Sequence, residues 1–254
     1  MRVATYQVVF GLKIDPNIVF KKGHCLARIE EALGGQLVSL NTPRAAAPEA
    51  PRALVRTSDT IVSMCLNRLE ILMLLADETG GDFATATDAA RALMKQILLL
   101  CPVADSYEWA GMIASLQYPG SDPTLLPSQA AAPAADRLLS VGRRGRSLTA
   151  FQLQYGFQDR DLYRTYTFGG YSKGTVELQK QVSLDDVVDG AVRMDPSDVV
   201  GGRQLETGIS VVIDFNNKPA GSHAGPEDGN GILDAMVSSF SSLSSDFNLE
   251  GILE

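Results

Sequence analysis

The chain has 254 residues, 45% of them apolar, and a formal charge of −8. It can bury a proper core, and its acidity disfavours nucleic acid as the main partner. No stretch supplies the roughly 20 apolar residues of a membrane-spanning helix, and the opening MRVATYQVVFGLKID, interrupted by Gln7 and Lys13, does not read as a signal peptide. Three cysteines, Cys25, Cys65 and Cys101, form no C-x-x-C pair and leave an odd count. They read as buried thiols in a reducing compartment, so a cytoplasmic protein is the expectation.

Tyr6, Val8, Phe10, Leu12 and Ile14 alternate with Gln7, Val9, Gly11 and Lys13, which predicts a strand with one buried face. Asp15-Pro16-Asn17 ends it, and Cys25, Leu26, Ile29 and Leu33 predict a helix that Gly34-Gly35 terminates. A short strand follows over Gln36–Leu40, then a proline-rich loop over Thr42–Pro51. Arg52–Leu75 admits two readings. Ile61, Cys65, Leu69 and Leu72 suit a helix, and the same segment suits two strands around a turn at Asn67-Arg68. Asp82–Leu100 carries a helical stripe of Ala86, Ala89, Ala90, Leu93, Ile97 and Leu100, stopped by Pro102. Ala110–Tyr118 alternates as another strand, closed by Pro119-Gly120.

Ser121–Ala135 is rich in Pro, Ala and Ser and reads as a linker. Arg137, Arg143, Arg144 and Arg146 follow around Gly142 and Gly145: a solvated loop, or an anchor for an acidic partner surface or a phosphate. Phe151–Phe157 and Leu162–Phe168 alternate on either side of a turn and predict a hairpin, with Thr175–Gln179 as a further strand. Leu184–Gly202 is acidic and irregular. Leu205–Phe215 then reads as a central strand, with Leu205, Thr207, Ile209, Val211, Ile213 and Phe215 on its main apolar face. After a Gly- and Pro-bearing loop, Leu233, Met236, Phe240, Leu243 and Phe247 predict an amphipathic closing helix over about Gly231–Phe247, with serines on its other face. The expected fold is α+β, with two antiparallel sheet-plus-helix halves in tandem: residues 1–120, a Pro/Ala-rich and basic linker over 121–147, and residues 148–254.

TYQVVFGLKIDP, MIASLQYPGSDP, LTAFQLQYGF, SVVIDFNN and AMVSSFSSL, in that order, resemble the strands and closing helix of a family of sporadically distributed bacterial proteins of about this length. The family has no established activity, so the resemblance implies a fold and no site residues. It favours the hairpin reading of Ile61–Met73. The serine-rich closing helix departs from the more charged one usual in that family.

Chemical motifs are few. Gly170-Tyr171-Ser172-Lys173-Gly174 matches the G-x-S-x-G nucleophile elbow, and Asp214 and His223 follow in hydrolase order. An elbow needs a strand before it and a helix after it, whereas Thr175–Gln179 reads as strand. The glycines therefore read as a turn. His24 and His223 are the only histidines, neither at ligand spacing, and the Asp-rich Leu184–Asp198 lacks the calcium-loop pattern. No phosphate-cradling G-x-x-x-x-G-K-[ST] occurs. No catalytic residue, metal or cofactor is expected. The expectation is a non-catalytic protein-interaction factor (adaptor, inhibitor or chaperone-like) with a protein partner, Arg137, Arg143, Arg144 and Arg146 being the candidate contacts. The alternative is a small-ligand-binding module or enzyme with a site between the halves.

Overall fold

The structure is a computed structural model, and it describes residues 2–34, 36–38, 47–48, 50–74, 83–101, 107–138, 152–159, 162–178, 187–188, 191–192 and 199–217. Its strands are β1 (Arg2–Leu12), β2 (Gln36–Val38), β3 (Ala53–Arg56), β4 (Thr60–Met64), β5 (Arg68–Leu74), β6 (Tyr107–Pro119), β7 (Gln152–Asp159), β8 (Leu162–Leu178), β9 (Val187–Val188), β10 (Ala191–Val192) and β11 (Val199–Asn216). Its helices are α1 (Ile18–Leu33), α2 (Phe83–Leu100), α3 (Pro127–Ala130) and α4 (Ala132–Leu138).

Nine strands form one sheet in the order β2-β3-β4-β5-β1-β6-β11-β8-β7, and β9 and β10 pair separately. The antiparallel sheet-plus-helix character follows the expectation from sequence. Two tandem halves do not describe it: β11 lies between β6 and β8, so strands from both sides of residues 121–147 join one sheet. By compactness the described chain separates into two units that interleave in sequence. The first takes the described residues within 1–117, 154–167 and 211–251, and the second those within 118–153 and 168–210.

In the first unit, cross-strand register builds the core. Val55 pairs with Val62, Val62 with Ile71, Ile71 with Val8 and Val8 with Met112, and all five side chains are fully buried. The next row, Ala53–Met64–Leu69–Phe10–Ala110, is buried in the same way. A slip of one residue turns either row to the opposite face, and burial of each large side chain is worth about 1.5–3 kcal/mol, so register is strongly specified. This pairing settles the ambiguous Arg52–Leu75 segment as strands. The turn between β4 and β5 is tied to the end of β1, where the Leu12 and Asp15 N–H groups donate to the Asn67 and Leu66 carbonyls at 2.6 and 3.1 Å.

Helix α1 ends as expected, with Gly34 at φ 60° in the left-handed C-cap conformation. It buries Cys25, Leu26 and Ile29 and lies against β2, β3 and α2, while α2 lies against β1. Phe215, fully buried on β11, sits edge-on to Tyr166 at 6.4 Å, and the Arg164 guanidinium lies 5.4 Å from its ring centre.

In the second unit, the stretch read as a linker carries α3 and α4. Pro127 starts α3, where its missing N–H costs nothing. The Gln129 side chain accepts the Leu126 N–H at 2.9 Å, which is the return half of a capping box. Ala131, Ala134 and Ile209 bury one another, with Tyr118 packed against them.

Candidate interaction surface

Cross-contacts fix how β8 and β11 run in the second unit. The Thr207 hydroxyl donates to the Tyr171 carbonyl at 3.0 Å, and the Ser210 hydroxyl donates to the Gly169 carbonyl at 3.3 Å. Numbers fall along β8 as they rise along β11, so the pair is antiparallel. The Gly120 N–H donates to the Thr207 carbonyl at 2.8 Å, which places the end of β6 beside Thr207.

Glycine makes this crossing possible. A Cβ on Gly170 would overlap the Pro127 carbonyl of α3, and one on Gly208 would overlap the Tyr118 carbonyl and crowd the Tyr171 ring. Backbone allows less adjustment than a flexible side chain, so these positions require glycine for close approach. The 121–126 segment is held in turn by Gln204, whose amide donates to the Pro123 and Leu125 carbonyls at 2.5 and 2.8 Å. Asp122 accepts the Thr124 hydroxyl at 2.6 Å and then the Thr124 N–H at 2.8 Å, which hold its carboxyl below the usual range.

On the Leu178 side of β8 and the Val199 side of β11, the pair runs on past Thr207 as a ribbon whose described side chains are mostly exposed. Ser172, Lys173, Gly174, Thr175 and Glu177 are exposed on β8, as are Val199, Val200, Gly202, Arg203, Gln204 and Leu205 on β11. Val200 is 59% and Leu205 50% exposed. These values correct the sequence reading of Leu205 as part of the buried face, which begins at Thr207. Where the ribbon leaves the α3–α4 layer, Tyr171 donates its hydroxyl to Glu206 at 2.5 Å.

The G-x-S-x-G run lies inside β8, neither in a turn nor at a strand-to-helix elbow. Its glycines serve packing: Gly170 admits α3, and a Cβ on Gly174 would fall 2.5 Å from the Arg203 carbonyl. Ser172 is exposed on the ribbon, and His223 lies outside the described residues. Of the candidate arginines, Arg137 belongs to α4 but its side chain lies outside the described residues, as do Arg143, Arg144 and Arg146 entirely. The predicted closing helix and most of the acidic stretch lie outside them too; within that stretch β9 and β10 pair.

All three cysteines are buried thiols outside any disulfide. Burial, and then the charge of Glu70, push the Cys65 thiol up to about 11, so it is protonated and not nucleophilic at neutral pH. His24 is exposed on α1, with Nε2 3.4 Å from the Cys25 sulfur. Among the described residues, no three His, Cys, Asp or Glu side chains gather as metal ligands, and no helix is long and apolar enough to cross a membrane.

Reasoning from sequence missed Val199, Val200, Lys173 and Glu177 as surface residues of one ribbon. The usable signal was the β-branched pair Val199-Val200 ahead of Gly201-Gly202, which the surrounding aspartates obscured. A scan against protein-family models and a search of curated proteins each found no match.

Proposed function

We propose that this is a non-catalytic interaction protein, an adaptor, inhibitor or chaperone-like factor, that binds a protein partner through the outer part of β11. The observation that supports it is Val199, Val200 and Leu205 held exposed on a regular strand, with Arg203 and Gln204 between them. Apolar side chains on a preorganised strand contribute contact area at little ordering cost, and flanking polar groups give specificity. The setting of Ser172 inside a strand argues against the nucleophile elbow. Membership of the bacterial family whose strand pattern the sequence resembles belongs to the proposal. So does a reducing, cytoplasmic setting, in which Cys25, Cys65 and Cys101 stay as thiols.

Native mass spectrometry of the protein isolated from its source tests the reading. A stoichiometric protein partner supports it. A co-purified small molecule with no protein partner overturns it in favour of a ligand-binding role.

A further inference from the structure

We draw no further inference here: the strongest candidate, the partly buried Trp109 indole laid across Gly11 where β1 and β6 pair, carries nothing because nothing in the structure shows what covers the ring's outer side.

Discussion

Gly11→Ala gives the sharpest test of the sheet register. Gly11 on β1 pairs directly with Trp109 on β6, and the indole lies across the space a side chain would fill. A Cβ there overlaps the ring atoms Nε1, Cε2 and Cδ1, so the rigid ring must move. Overpacking of this kind costs about 1–3 kcal/mol. The control is Gly23→Ala in α1, where nothing lies within 4 Å of the added Cβ and the change should stabilise by about 0.5–1 kcal/mol. Trp109 is the only tryptophan, so its fluorescence in urea titrations reports stability and its native emission maximum reports the ring's own exposure. Gly11→Ala should lower stability and move the emission to the red. A variant as stable as the parent, with unchanged emission, would refute the pairing.

Other outcomes follow from the same geometry. Phe215→Ala removes a fully buried ring held between Tyr166 and Arg164, and should cost about 3–5 kcal/mol in chemical denaturation. Gly208→Ala should destabilise more than Gly156→Ala, because its Cβ meets the Tyr118 carbonyl whereas Gly156 faces open space. Ser172→Ala should leave thermal stability within about 0.5 kcal/mol, and neither parent nor variant should turn over activated esters in a serine-dependent way. With its pKa about 11 against an ordinary 9.0, Cys65 is protonated in the folded chain where the unfolded chain has begun to ionise. Its contribution to stability is therefore complete below pH 9 and lost as pH rises toward 11. Iodoacetamide should label it at pH 8 only under denaturing conditions, and Cys65→Ala should flatten the alkaline loss of stability.

Much of this fold was legible because alternation and register agree. Tyr6, Val8 and Phe10 were readable as a buried face, and their partners on β5 and β6 are buried in turn. Arg52–Leu75 was not, because Ile61, Cys65, Leu69 and Leu72 satisfy both periods and only pairing with β1 decides. Ser121–Ala135 misled for a different reason. Its Pro, Ala and Ser content read as a linker, yet Pro127 occupies a first helical position, and the small Ala131 and Ala134 pack against Ile209. Gly170 and Gly174 were read as turn residues when close approach within a strand was their role. The ribbon escaped notice because Gly201-Gly202 and nearby aspartates resemble a loop, while β11 runs through the glycines to Val199. The candidate arginines drew attention by charge alone, with no periodic pattern to place them.

Exposed apolar residues of β11 are proposed to hold a protein partner. Affinity capture by the parent and by Val200→Asp and Leu205→Asp, read by quantitative mass spectrometry, tests it most directly. Both positions are exposed, so each variant should fold with parental stability. One stoichiometric protein should be captured by the parent and lost from both variants. Equal capture by all three would contradict it.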